Sequence, residues 1–339
     1  VSAEAAGTTP ASGGGTAAPL LALDALDVRF ATPDGEVVAV EGASFALGRG
    51  ECVGIVGESG SGKTQLALAA TGLLAANGRA AGSVRLAGRE LLGADEATWR
   101  TVRGRRIGFV FQDPMTALAP HLSIGTQLVE TIRAHADVSR RAARERALEL
   151  LARVRVPDPA ARFRQFPHEL SGGLRQRAMI AVALAAGPEV LIADEPTTAL
   201  DVTVQRQVLD LFRELRRELG TALVLITHDL GVAAGLCDRV LVMYAGRIVE
   251  EGWTAELYAR PRHPYTAALL AASPRIDDPV DAPFATIPGA QPDPRERPEG
   301  CAFRPRCSRA AEACAVAPPL AGRTGTRVAC HRPLVELAS

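Results

Sequence analysis

The sequence predicts an α/β fold in which a buried parallel sheet is built around a phosphate-binding loop. The run GESGSGKT at 57–64 follows an apolar strand, Cys52 to Val56, and leads into a helical run, which is the context such a loop requires. Further along, LIADEP places four apolar residues ahead of the acids Asp194 and Glu195. The segments Val190 to Ala193 and Ala222 to Ile226 are apolar, β-branched and bounded by polar residues, as buried parallel strands should be.

The first 20 residues, VSAEAAGTTPASGGGTAAPL, are small, polar or Gly/Pro, and read as a disordered lead-in. Leu21 to Phe30 and Glu36 to Leu47 read as strands about a Pro33-Asp34-Gly35 turn. After the phosphate loop, Thr64 to Leu74 is helical, and Val84 to Leu86 and Ile107 to Phe111 are short strands. From Asp113 to Leu174 the pattern turns helical, with alternating charge in Val138 to Arg153. Val202 to Leu219 has helical periodicity, and Arg239 to Tyr244 and Arg247 to Glu250 flank a hairpin turn at Ala245-Gly246. Seven prolines between Pro274 and Pro298 then forbid regular structure. The expected organisation is a lead-in at 1–20, a nucleotide-binding domain at 21–260 with a helical insertion at about 113–175, and a connector with a cysteine-bearing module at 261–339.

Composition narrows the function. Thirty-eight basic residues balance 38 acidic ones, which gives no global support for nucleic-acid binding. No charge-poor apolar run reaches the length of about 18 residues that a membrane span needs, and Ala178 to Ala186 reads as a buried helix. Cys52 and Cys237 sit in apolar contexts as packing residues. Cys301, Cys307, Cys314 and Cys330 cluster late in the chain, and beside a nucleotide loop a reducing setting favours metal binding over disulfides.

Each motif has its chemistry. Gly57, Gly60 and Gly62 let the loop bend so that backbone N–H groups, including those of Glu58, Ser59 and Ser61, face phosphate oxygens. The following helix terminus adds unpaired donors. Lys63 brings charge to the outer phosphates, and the Thr64 hydroxyl is a ligand for Mg²⁺. Asp194 is placed to hold Mg²⁺ through water, and Glu195 to activate the attacking water as general base. Gln112 ends the strand IGFVFQ, where its amide reaches Mg²⁺ or that water, and His228 ends VLITH, facing the terminal phosphate. Phe30 is a candidate to stack on adenine. In LSGGLRQR, Ser171, Gly172 and Gly173 form a second phosphate-cradling segment. One domain does not need two such segments for one nucleotide, so reciprocity follows: each subunit offers this one to its neighbour's ATP, with Asp201 of TALD at the shared seam.

These motifs resemble the ATP-binding subunits of ABC transporters over residues 21 to 339. AVEGASF, GIVGESGSGKT, VFQDPMTAL, RHPYTAALL and CAFRPRC resemble in particular the dipeptide/oligopeptide (peptide/nickel) importer subfamily. The resemblance implies a P-loop NTPase of the ABC ATPase type, with a helical subdomain and a small C-terminal cysteine-rich module. Walker A, signature, Walker B, Q-, D- and H-loop roles fall on the residues named above. It also implies a peripheral protein at the cytoplasmic face of the membrane that hydrolyses ATP to power peptide uptake. Partners would be a paralogous ATPase subunit or a second copy, two membrane permease subunits, and an extracytoplasmic substrate-binding protein. A nickel or other solute importer, or a non-transport ABC regulatory ATPase, is the alternative. Departures are small: Thr64 stands where serine is commoner, TALD replaces SALD, and Leu174 stands where methionine is frequent.

Five, six and fifteen residues separate the four late cysteines, which matches neither common zinc nor ferredoxin spacing. Four thiolates suit tetrahedral Zn²⁺ or a four-iron centre equally well. The resemblance favours a [4Fe–4S] cluster at Cys301, Cys307, Cys314 and Cys330, with Zn²⁺ or free or disulfide-linked thiols as the alternatives.

Overall fold

The structure is a computed structural model that describes residues 18–198, 200–273 and 286–335. Most of the expected lead-in therefore lies outside the described residues. Leu20 does not: it is buried, and its N–H donates to the Leu47 carbonyl at 2.8 Å.

Strands β1 (Leu21–Thr32) and β2 (Gly35–Leu47) form the predicted hairpin. With β4 (Gly78–Leu86) and the short β5 (Arg89–Glu90), they make an antiparallel sheet in the order β2-β1-β4-β5. β4 is longer than the predicted Val84 to Leu86. Its first half, GRAAGS, has no apolar alternation, because it is a half-exposed partner of β1 and pairs Gly78 with Phe30.

The second sheet combines β3 (Cys52–Val56), β6 (Ile107–Val110), β7 (Val190–Asp194), β8 (Ala222–Thr227), β9 (Arg239–Tyr244), β10 (Arg247–Trp253), β11 (Ala321–Arg323) and β12 (Thr326–Val328). Its order is β11-β12-β10-β9-β3-β8-β7-β6. The five strands from β9 to β6 run parallel, and both faces are covered. On β7, Leu191 and Ala193 face one hydrophobic core while Val190 and Ile192 face the other; on β8, Leu223 and Leu225 oppose Val224 and Ile226 in the same way. Such two-sided burial explains why these strands read as continuous apolar runs rather than alternating ones.

Between β6 and β7 lies the helical region, with main helices Ile124–His135, Arg140–Arg153 and Gly172–Leu184. Ser123 and Ser139 begin the first two, each hydroxyl accepting a backbone N–H three residues on. Among the described residues no helix is long and apolar enough to cross a membrane.

Beyond residue 260, strands β11 and β12 join the main sheet. β12 pairs antiparallel with β10, matching Glu251 to Arg327. Glu251 is fully buried and takes Arg239 from β9 and Arg327 from β12 as partners. Phe303 packs into the core shared with the helical region.

Candidate nucleotide-binding site

Strands β3, β6, β7 and β8 all end at one edge of the parallel sheet, where α/β folds place their ligands. Residues 57–64 leave β3 there and run into the helix Lys63–Ala70. Gly57 has φ 151° and Gly62 φ 100°. A Cβ on Gly57 would lie 2.2 Å from the Met243 carbonyl, and one on Gly62 2.5 Å from the Ala39 carbonyl. Glycine is therefore required twice, by conformation and by space. Lys63 folds back over the loop and donates to the carbonyls of Gly57 and Glu58, both at 2.8 Å. Burial lowers its pKa, while Glu195, Asp194 and Glu58 oppose that shift.

At the end of β7, Asp194 is buried with Oδ1 unpartnered. Burial raises its pKa, against the hydrogen bond from Thr64 and the charge of Lys63. Glu195 follows with φ 45°, a strained backbone for a residue with a side chain. Three groups converge on its carboxylate. Gln112 Nε2 donates to Oε2 at 3.0 Å, the Thr198 hydroxyl donates to the same oxygen at 3.0 Å, and His228 Nδ1 lies 3.4 Å from Oε1.

Phe30, Ser59, Gly60, Gly62, Lys63, Thr64, Gln112, Glu195 and His228 line one cleft of about 680 Å³. Asp194 sits beneath it. Two expected groups are elsewhere. Ser171 and Gly172 are exposed at the start of the helix Gly172–Leu184, and a Cβ on Gly173 would meet the Val204 side chain at 2.7 Å. Asp201 begins the helix Val202–Leu219, its carboxylate accepting the Val204 N–H at 2.9 Å.

Sequence reasoning missed several contacts. Thr198 lies inside a motif that was quoted, yet its bond to Glu195 has no spacing signal. Tyr265 accepts the Glu58 N–H at 2.9 Å, and Arg306 pairs with the Glu58 carboxylate. Pro292, Pro294 and Arg297 line the nucleotide cleft from the far side.

Residues 40–198 match the family model described as ABC transporter, and residues 249–314 match the oligopeptide/dipeptide transporter C-terminal region. The chain is 51% identical over 319 residues to the oligopeptide transport ATP-binding protein OppD of Salmonella typhimurium, covering 94% of this chain and 95% of that one. The chain belongs to the ATP-binding subunits of ABC transporters, within their oligopeptide/dipeptide group. OppD of Escherichia coli is 50% identical, with 94% of each chain covered. A putative peptide import ATP-binding protein of Brucella abortus is 49% identical, covering 91% of this chain and 93% of its own. Among solved structures, the dimeric ABC transporter cassette MJ0796 superposes with a TM-score of 0.62 at 28% identity, over 69% of this chain and 98% of that one.

For this ABC subunit, the metal expectation in the C-terminal region needs correction. Cys301, Cys307, Cys314 and Cys330 do line a common pocket, but it encloses only about 10 Å³, room for one water at most. Among the described residues, no group of three or more Cys, His, Asp or Glu is arranged to hold a metal ion. The four are free thiols, and burial pushes the pKa of Cys301 and Cys330 up. Neither the [4Fe–4S] cluster nor the Zn²⁺ alternative fits. What CAFRPRC delivers instead is packing: Phe303 lies 5.3 Å from both Tyr244 and Tyr265, ring centre to centre, and Arg306 reaches the phosphate loop. Cys52 and Cys237 face each other at 3.6 Å, buried and unbridged.

Proposed function

We propose that this chain binds and hydrolyses ATP to power peptide uptake through a membrane ABC importer, working as a peripheral subunit at the cytoplasmic face. The observation that carries the chemistry is the convergence of Gln112, Thr198 and His228 on Glu195, within the cleft that Lys63 lines. Glu195 then acts as general base toward a water held at Gln112, and His228 contacts the terminal phosphate. Residues 57–64 wrap the phosphates, and Phe30 stacks on the adenine.

The oxygen donors suit Mg²⁺: Asp194 keeps a buried, unpartnered Oδ1 beside the Thr64 hydroxyl, and Gln112 lies across the cleft. Bound there, the ion would neutralise charge on the outer phosphates. Every other contribution belongs to the chain's own side chains.

Ser171, Gly172 and Asp201 are exposed, Gly173 is half-buried, and all four lie outside their own cleft, which supports a role toward the ATP of an opposing subunit. That subunit is a paralogue or a second copy. The pair would dock beneath two permease subunits supplied by an extracytoplasmic binding protein. The C-terminal cysteine-bearing segment is a structural extension of this ATPase, held by β12 and Arg306.

The test is ATP turnover by the complex reconstituted in liposomes with its binding protein. Turnover stimulated by short peptides, with peptide accumulating inside, supports the reading. Stimulation by nickel alone, or ATP hydrolysis indifferent to any solute, sinks it.

A further inference from the structure

The far side of the nucleotide cleft is formed by a stretch with no assigned role, residues 291–297 in the proline-rich part of the C-terminal extension. Pro292, Pro294 and Arg297 line the cleft, and their neighbours flank it. At the phosphate end, Gln291 Oε1 lies 3.7 Å from where a Cβ on Gly60 would stand, and Gln291 Nε2 is buried with no partner among the described residues. In the middle, Pro292 and Pro294 share the cleft lining with Phe30. Toward the β1–β2 turn, Arg295 approaches Asp34 at 3.9 Å. Arg297 fastens the stretch: its guanidinium donates to Glu41 Oε2 at 2.8 Å and to the Val38 carbonyl, both on β2.

A buried amide N–H₂ without an acceptor costs free energy unless something fills its place. The other end of this amide, Oε1, lies beside Gly60 of the phosphate-binding loop, so the side chain stands at the phosphate end of the cleft. Proline rings beside an aromatic ring offer a rigid apolar surface, suited to a flat base and its ribose. Because proline fixes its own φ, such a wall loses little entropy when a ligand settles against it.

We propose that residues 291–297 are the outer wall of the nucleotide pocket, with Gln291 donating to a phosphate oxygen and Pro292 and Pro294 covering the nucleoside. Arg297 is the positioning residue that holds this wall on β2. This rests on the nucleotide-site reading above. It makes the affinity of the ATPase for its nucleotide a property of the extension as well as of the loop at 57–64.

The experiment titrates the full-length protein with ATP and with inorganic triphosphate. Lys63→Ala serves as the reference, and Gln291→Ala and Pro292→Gly/Pro294→Gly as the tests. Gln291→Ala should weaken both ligands about three- to tenfold, the loss of one hydrogen bond to a charged group. The proline pair should weaken ATP about fivefold and leave triphosphate unchanged. In the assembled complex, both should raise KM for ATP while kcat at saturating ATP holds. Arg297→Ala should reproduce the ATP loss of the proline pair. Wild-type ATP affinity in the Gln291 and proline variants, with Lys63→Ala weakened, overturns the wall. Equal loss of ATP and triphosphate in the proline pair overturns the nucleoside contact. Unchanged affinity in Lys63→Ala would instead discard the nucleotide site on which the proposal rests.

Discussion

Arg306 Nη1 lies 2.8 Å from Glu58 Oε2, with Nη2 3.1 Å from the other carboxylate oxygen. This paired contact ties the segment between Cys301 and Cys307 to the second residue of the phosphate loop. The guanidinium is nearly buried and stacks near Tyr244 and Phe303. Removing it leaves an uncompensated carboxylate beside the phosphate site. Arg306→Ala should weaken ATP binding by about 1 kcal/mol, roughly fivefold. Adding Glu58→Gln should restore most of the loss, because the unpaired charge is then gone. Calorimetric titration of both variants checks this, and a double variant as weak as the single one refutes it.

Glu195 has two hydrogen-bond donors and His228 around its carboxylate, and its replacement separates binding from chemistry. Glu195→Gln should lower kcat about 10²- to 10⁴-fold while ATP still binds. Single-turnover measurements on the assembled complex provide the check. Rapid multiple turnover by the variant would remove Glu195 from its role as base.

Lys63 should behave in the opposite way. Its ammonium donates to the neutral Gly57 and Glu58 carbonyls and the Ser61 hydroxyl, with acids nearby, so a phosphate is its natural further partner. Lys63→Ala should cost about 2–3 kcal/mol in ATP binding. Unchanged affinity in an equilibrium titration contradicts that.

His263 begins the helix Pro264–Ala272 and is buried, its Nδ1 accepting the Tyr265 N–H at 3.0 Å. Burial lowers its pKa to about 4. Between about pH 6.5 and 4, the unfolded chain therefore binds a proton that the folded chain refuses. Stability from this group is complete above about pH 6.5 and falls as pH drops, by roughly 3 kcal/mol in all. Glu250, whose pKa burial raises, pulls the other way, so a paired comparison is needed. His263→Asn keeps the helix-start acceptor and removes the titration. The stability gap between wild type and variant should narrow on going from pH 7 to pH 4.5 in urea melts. A constant gap counts against the prediction.

Arg239 is 2% exposed and serves Glu51, Glu251 and the Ala46 carbonyl at once. Arg239→Ala removes a partner from two carboxylates, leaving the fully buried Glu251 to Arg327 alone, and should cost about 3–5 kcal/mol of stability. A loss below about 1 kcal/mol in equilibrium unfolding would mean the network is not holding the sheet together.

Much of the site's geometry was legible because it depends on strand ends. Once β3, β6, β7 and β8 are read as buried parallel strands, the residues at or just after their ends must share one edge. Gln112, Asp194, Glu195 and His228 meet for that reason. The family was legible as well, from motifs in fixed order. The contacts of residues 291–297 and of Arg306 were not, since they join residues far apart through segments with no periodicity. β11 and β12 were missed because AGRTGTRV is small and charged; its pairing is fixed by Arg327 reaching Glu251, not by an apolar pattern. The cysteine spacing misled because it counted ligands, whereas the fold uses the residues between them, Phe303 and Arg306.

The pairing of β12 with β10 also sets a schedule. During synthesis, β9 and β10 leave the ribosome with Glu251 still short of Arg327, and the intervening segment 254–325 must follow first. At about 5–20 residues per second, that is a wait of several seconds. Through that interval the edge of β10 presents unpaired N–H and C=O groups to any other nascent strand. The catalytic sheet reaches its final form only when its last-made strand arrives.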